Sequence, residues 1–442
     1  MCDEVNRPNH MSDQSLPKRV LILASKLGYQ TQAFTEAAQK IGVEVVLGTD
    51  RCHKLDDPWG DGAMALRFEK PIEAAREILR HTLGRPPGAV LALGDRPAVT
   101  AARASRVLGL NGNAPLAVET CRNKLRQRRA LTRAKVPVPD FIAFALSDDI
   151  STALGRVEFP CVVKPLTLAA SQGVIRANDA EEFRRAVSRI EALFRQPEIQ
   201  SKRDAALSRI LVERYIPGVE VAVEGLLTNG RLRILAIFDK PDPLEGPYFE
   251  ESIYVTPSRL PEAMQEAIAD CAAEGVAALE LVTGPVHAEF RVNETGVWVL
   301  EIAPRPIGGL CSRALRFGEE KISLEELLLR HALAMDGVDQ LRENSAAGVM
   351  MIPVPRSGVL EGVEGVEAAR SVSGIEDIVI TARLHDAIAA WPEGSSYLGF
   401  IFSRSESPRE AEAALREAHS KLNFVIRERL RVEHPVTGRM TA

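Results

Sequence analysis

Residues 287–309 read HAEFRVNETGVWVLEIAPRPIGG, and this stretch sets the terms for the rest of the chain. Two runs of strand-like residues, 287–292 and 297–302, flank Asn-Glu-Thr-Gly. A three-residue loop, Glu294-Thr295-Gly296, with glycine in the left-handed position would close a hairpin. In that register Glu289 lies directly across from Glu301 on one face. Two carboxylates opposed across a sheet repel each other. A divalent cation between them removes the repulsion, and carboxylate oxygens completed by water and phosphate are the ligands Mg²⁺ prefers. A four-residue loop would instead turn the glutamates to opposite faces and leave one solvated.

Four residues past Glu301 comes Arg305, either a surface residue or a cation beside a metal-bound phosphate, able to grip oxygens bidentately. Gly308-Gly309 would allow the backbone close to a ligand, and Arg313 and Arg316 follow as candidate anion binders. Upstream, Lys164 ends the apolar run Pro160-Cys-Val-Val-Lys164, and a lysine there must reach solvent, an acid or a ligand. The small-residue loop Ala169-Ala170-Ser171-Gln172-Gly173-Val174 can close on phosphates. The segment Leu211–Glu220 leaves a strand, turns at Pro217-Gly218 and enters another. Its backbone can read a planar base, and Glu220 can take a sugar hydroxyl.

Further out, short apolar runs at 19–24, 43–47 and 88–93 alternate with helical patterns at 31–41, around 72–79 and at 97–108. Such alternation means parallel β-α-β units, so residues 18–120 are expected to form an open α/β sheet. The G-x-G-x-x-G fingerprint is absent, the Ser25–Gly28 turn is a poor substitute, and there is no G-x-x-x-x-G-K-[ST]. Residues 122–135 carry seven basic side chains, read for the most part as the solvated face of one helix ending before Val136-Pro137. Strands are expected at 160–164, 210–215, 220–227 and 231–238, and a helix over 261–280. Segment 341–442 reads as an α+β domain with strands near 348–354 and 398–402. Its last helix opens on the capping box Ser407-Pro408-Arg409-Glu410.

Composition narrows the function. The 442 residues carry 55 Lys+Arg against 60 Asp+Glu, a formal charge of −5, which argues against a dedicated nucleic-acid binder, as do aromatics at 5%. No apolar run reaches the ~20 residues of a membrane span. Six scattered cysteines fit neither a zinc site nor a disulfide framework, and Cys161 and Cys271 sit in apolar segments as core residues. Residues 1–17, with Asp3 and Glu4 where a secretory signal would be basic, read as a disordered leader, with Met1 and Met11 both open as the start; the expected compartment is the cytoplasm.

The order of these pieces resembles the ATP-grasp superfamily: Lys124; Val162-Val163-Lys164-Pro165; Ser171-Gln172-Gly173-Val174; Val212-Glu213-x-x-Ile216-x-Gly218-x-Glu220; His287-x-Glu289-Phe290; Leu300-Glu301-Ile302-x-x-Arg305. The resemblance spans residues ~18–340. It implies an ATP-grasp fold over 121–340 in two subdomains, preceded by the open parallel α/β domain of 18–120 and followed by the α+β domain of 341–442. It assigns Lys124 and Lys164 to the ATP phosphates and Ser171, Gln172 and Gly173 to the loop that covers them. Glu213 and Ile216 match the hinge that reads adenine, Glu220 the ribose ligand, Glu289 and Glu301 the carboxylates for Mg²⁺ (or Mn²⁺), and Arg305 the arginine that steadies the transferring phosphate. One departure is Ala303, where many members carry an asparagine ligand; this puts a second metal in doubt.

Within that superfamily, Arg305-Pro-Ile-Gly308-Gly309-Leu-Cys-Ser-Arg313, Phe249-Glu250-Glu251 and the long C-terminal segment resemble L-amino acid ligases, which join two amino acids. The resemblance makes Glu251 and Arg313 candidates for the substrate's amino and carboxylate ends, although Glu251 can equally just precede a strand. His287 either donates to a metal-holding carboxylate or is a satisfied core histidine. The implied activity is an ATP-dependent carboxylate–amine ligation through an acyl phosphate, with small carboxylates and amines as partners, neither nucleic acid nor membrane, and a homodimer as the commonest closed assembly. Two alternatives are a bicarbonate-using carboxylase, since Glu301-Ile-Ala-Pro-Arg305-Pro also looks like carboxyaminoimidazole ribonucleotide synthase, and a non-catalytic nucleotide binder on the same scaffold. Ile307-Gly308-Gly309 departs from the carboxylase pattern. RNA binding through 122–135 is a further, weaker alternative.

Overall fold

A computed structural model describes residues 17–25, 28–50, 63–394 and 396–428, with the backbone of the short strands Val432–Glu433 and Met440–Thr441. The leader, both candidate start methionines, Cys2, Cys52 and part of the Ser25–Gly28 turn lie outside the described residues.

The first sheet is parallel, in the spatial order Ala63–Ala65, Glu44–Thr49, Arg19–Ala24, Ala89–Leu93. Three of its strands follow the apolar runs in the sequence. The fourth, Ala63–Ala65, was not expected, because three residues are too few to show a period. Pro115 begins a helix that ends at Arg122, and Lys124–Arg133 forms the next. Residues 122–135 are therefore not one helix. Asn123 breaks the run in an extended conformation, and its side chain caps the second helix by accepting from the Arg126 N–H. The basic side chains also divide: Arg126, Arg129, Arg133 and Lys135 are exposed, whereas Lys124 and Arg128 are buried.

Two antiparallel sheets follow. The smaller runs Phe141–Ala145, Arg209–Arg214, Cys161–Pro165, Ile175–Ala177. One face is covered by the helix Ala180–Phe194, whose Phe183, Val187, Ile190 and Phe194 fall at helical spacing and are buried. The larger has eight strands, in the order Gly296–Ala303, Gly284–Asn293, Val219–Thr228, Arg231–Asp239, Ile253–Thr256, Ala346–Ile352, Gly399–Ser405, Ile375–Ile380. The segment read as a separate α+β domain, 341–442, thus supplies three strands to the same sheet as the hairpin. Its helix Pro408–Ser420 packs on that extension and opens on the expected Ser407–Glu410 capping box. The helix Glu262–Ala278 lies against the hairpin strands so closely that a Cβ on Gly275 would stand 2.4 Å from the Ile302 side chain.

Candidate active site

The hairpin brings the two glutamates together, but not by the expected loop. Asn293 pairs with Gly296, which leaves a two-residue turn, Glu294-Thr295. Continued evenly, that register would set Glu289 against Leu300. Instead Leu300 is bulged out of the ladder, and Glu301 pairs with Glu289. The Leu300 carbonyl accepts from the buried Arg128 guanidinium, so a helix outside the sheet fastens the bulge. The expected opposition of the carboxylates is present, and the three-residue loop is corrected to a two-residue turn plus a bulge.

Alternation along the strand then puts His287, Glu289 and Arg291 on one face, facing Glu224, Ala222 and Glu220 of the neighbouring strand. His287 is buried and its Nδ1 donates to Glu224 Oε1 at 2.5 Å, while Nε2 lies 3.5 Å from Glu289 Oε1. Burial alone would lower the imidazole's pKa, but the two carboxylates outweigh it and raise it to about 9. Lys240, also buried, lies 2.7 Å from Glu220 Oε1 and 3.6 Å from Glu289 Oε1, and it bonds Glu251 as well. Burial pushes the Glu289 carboxyl up, yet Lys240, His287 and Arg305 together hold it well below the usual range. One oxygen each from Glu220, Glu251 and Glu289 cluster within 4.8 Å. That cluster surrounds the Lys240 ammonium and omits Glu301.

Lys124 and Lys164 approach from the other side. Lys124 Nζ donates to the Leu168 carbonyl at 2.9 Å and lies 3.3 Å from Glu301 Oε1. Lys164 pairs with Glu213 Oε2 at 2.5 Å; its pKa is lowered by burial, which the Glu213 charge only partly offsets. Glu213 also holds Arg128 Nε at 2.6 Å. Its carboxylate is therefore a structural clamp, and only its backbone is free to serve as hinge beside Arg214, Tyr215 and Ile216. Glu220 is bonded on both oxygens, to Lys240 and at 3.0 Å to Arg291 Nε. Gly218 is required there (φ +125°), since a Cβ would stand 2.2 Å from the Val292 carbonyl.

The sequence placed Ser171, Gln172 and Gly173 in one loop over the phosphates. Ser171 and Gln172 line the cavity; Gly173 does not, and its N–H donates to the Pro392 carbonyl at 3.2 Å. Arg305 is held by Asp95, Nε to Oδ1 at 2.8 Å. Gly308 faces open space. Glu251 bonds Lys240 through Oε1 and accepts from the Tyr254 hydroxyl at 2.8 Å through Oε2. Arg313 is not in the site: it is partly exposed, pairs with Asp377 at 3.0 Å and lies over the Phe402 ring. Arg316 likewise pairs with Glu376.

All but Gly173, Arg313 and Arg316 of the candidate residues line one cavity of about 1130 Å³ between the two antiparallel sheets and the C-terminal edge of the parallel one. An ATP-grasp domain is matched over residues 157–314 and an L-amino acid ligase C-terminal domain 2 over residues 350–427. The crystal structure of an L-amino acid ligase from Bacillus licheniformis superposes with a TM-score of 0.79 at 26% identity, covering 93% of this chain and 100% of that one. The chain resembles the ATP-grasp L-amino acid ligases. Alanine–anticapsin ligase of Bacillus amyloliquefaciens is 28% identical over 221 residues, 47% of this chain and 46% of the relative. Carnosine synthase 1 of Gallus gallus is 28% identical over 323 residues, 68% of this chain and 34% of the relative. The chain thus spans about half or less of the length of these curated relatives.

Three residues of this ATP-grasp site escaped the sequence reading. Lys240 ends an apolar strand as Lys164 does, and the same rule would have flagged it. Asp95 opens the helix Asp95–Val107 just after Gly94, at the end of a parallel strand, where ligands of open α/β sheets gather. Glu224 lies in a buried run and carried no signal, because its partner His287 is 63 positions away.

Proposed function

We propose that this protein is an ATP-dependent ligase that joins the carboxylate of one amino acid to the amine of another. The observation that carries this reading is the bulge-set pairing of Glu289 with Glu301, in one cavity with Lys124, Lys164 and Arg305. The carboxylate pair suits a Mg²⁺ ion: paired strand positions offer oxygen donors on one face, each already neighboured by a cation that relieves their repulsion when no metal is bound. Bound at Glu289 and Glu301, Mg²⁺ would neutralise charge on the phosphate oxygens. Lys124 and Lys164 would hold the triphosphate, and the hinge at Glu213–Ile216 the base.

A substrate carboxylate oxygen attacks the γ-phosphorus, the bond to ADP breaks, and an acyl phosphate forms. Arg305, fixed in direction by Asp95, stabilises the charge on that group as it transfers. The amine then attacks the acyl carbon; the C–O bond breaks, phosphate leaves, and the amine gives up a proton. Gly308 leaves room for the acyl group against the backbone. The apolar part of the cavity lining would limit competition by water once substrates fill it. No described helix is long and apolar enough to cross a membrane, and free ATP and amino acids suit a cytoplasmic setting. Phosphate release measured over single amino acids and pairs, with and without Mg²⁺, tests the reading. Release that requires Mg²⁺ and two amino acids, matched by an amide product, supports it. Release driven by bicarbonate alone overturns it.

A further inference from the structure

The loop over the phosphates is held from outside the site. Trp391 Nε1 donates to the Ala170 carbonyl at 3.3 Å, the Pro392 carbonyl accepts from the Gly173 N–H at 3.2 Å, and the Glu393 carbonyl accepts from the Gln172 side-chain amide at 2.9 Å. Three consecutive residues, more than 215 positions downstream, thus each take one bond from or give one bond to residues 170–173. The loop needs such support. Ala170 and Ser171 both have positive φ (+54° and +53°), a conformation that non-glycine residues keep only where their surroundings over-determine it. With Gly173 alone as glycine, the loop does not hold this shape by composition.

The turn is itself anchored twice. The Glu393 carboxylate forms a two-point ion pair with Arg189, on the helix that covers the small sheet, and Arg189 also bonds the Tyr248 hydroxyl at 2.5 Å. Trp391 is buried in the core under the C-terminal strands and packs on Tyr397, ring centroids 5.0 Å apart with the planes tilted by 32°. Tyr397 in turn lines the cavity at the end that holds Gly308 and Gly309.

We propose that Trp391 and Glu393 are positioning residues, and that their turn is a strap from the C-terminal segment that holds the phosphate loop down over ATP and keeps water from the acyl phosphate. The Trp391–Tyr397 ring contact ties the strap to the amino-acid end of the cavity. The water-exclusion half rests on the ligase reading; the loop-holding half does not. An exposed ion pair contributes little to global stability, so Glu393→Ala and Arg189→Ala should fold normally, and Trp391→Phe keeps the ring packing while removing the donor.

Hydrogen exchange followed by mass spectrometry, on the full chain without nucleotide, reads the strap directly. Residues 169–174 are expected to exchange about tenfold faster in Glu393→Ala and Trp391→Phe than in the wild type, with exchange elsewhere unchanged. In turnover, the same variants are expected to raise KM for ATP by roughly fivefold, Trp391→Phe through one lost hydrogen bond to the loop and Glu393→Ala through the freed anchor of the turn, and to release phosphate in excess of amide product. The swapped pair, Arg189→Glu with Glu393→Arg, should restore the wild-type ratio. Unchanged loop exchange would overturn the strap. Faster exchange with an unchanged KM and unchanged product-to-phosphate ratio would overturn its part in the reaction. A wild type that forms no amide at all counts against the ligase reading, and loop exchange with ATP affinity then still decides the strap.

Discussion

At the scale of single residues, charge is balanced atom against atom. Glu289 faces Lys240 and His287, Glu301 faces Lys124, Arg305 faces Asp95, and Glu213 faces both Arg128 and Lys164. Each pairing has a consequence. Replacing Glu301 with Gln keeps the shape and removes the charge a cation needs. We expect Mg²⁺-dependent phosphate release to fall at least ~100-fold, with the thermal midpoint nearly unchanged; full activity would contradict the role. Asp95→Asn leaves Arg305 charged but weakly aimed. Here kcat should drop roughly tenfold, as for a positioning hydrogen bond to a charged group, while ATP affinity, read by calorimetry, stays as it was. Sequence patterns disclosed the residues whose neighbours carry the signal: Lys164 at the end of an apolar run, Glu289 and Glu301 across a hairpin. They could not disclose Glu224, whose partner lies 63 positions away, and Asp95, whose partner lies 210 away, was marked only by its place at the end of a parallel strand. Arg313 shows the converse error. Its position after Gly308-Gly309 looked right, but the chain turns and spends it on Asp377.

At the scale of elements, the bulge at Leu300 is what makes the hairpin a site. A two-residue turn alone would put Glu301 out of step with Glu289, because a one-residue shift moves a side chain to the other face. Arg128 reaches from the helix Lys124–Arg133 to the Leu300 carbonyl and to Glu213, fixing bulge and hinge from one guanidinium. Arg128→Met would leave Glu213 with Lys164 alone and the bulge untied. Breaking a buried ion pair this way costs about 3–5 kcal/mol, measurable by urea unfolding, and activity should fall even below the denaturation midpoint. Arg128→Lys should recover part of the stability but not the second bond. The sequence did not separate Arg128 from its exposed neighbours Arg126 and Arg129, since the break at Asn123 that sets the helix phase is not visible in charge alone.

At the scale of the whole molecule, three segments close on one cavity. The parallel sheet supplies Asp95, the hairpin and its neighbours supply the carboxylates, and the C-terminal segment supplies both sheet strands and the strap. The order of motifs made the general fold legible, but the boundary at residue 340 divided a sheet that is continuous. Strand Ile253–Thr256 is buried by its pairing with Ala346–Ile352. A chain truncated after residue 340 should therefore expose Ile253, Tyr254 and Val255 along an unpaired edge and aggregate on expression; a soluble, cooperatively folded fragment would show that the two parts are independent. The account turns finally on whether a carboxylate oxygen reaches the γ-phosphorus inside this cavity. Supplying the donor amino acid with ¹⁸O in its carboxyl group and examining the released phosphate by mass spectrometry tests this most directly. One labelled oxygen transferred to phosphate for each amide formed is the predicted result. Amide formed with unlabelled phosphate would contradict the acyl-phosphate route and the site built around Glu289, Glu301 and Arg305.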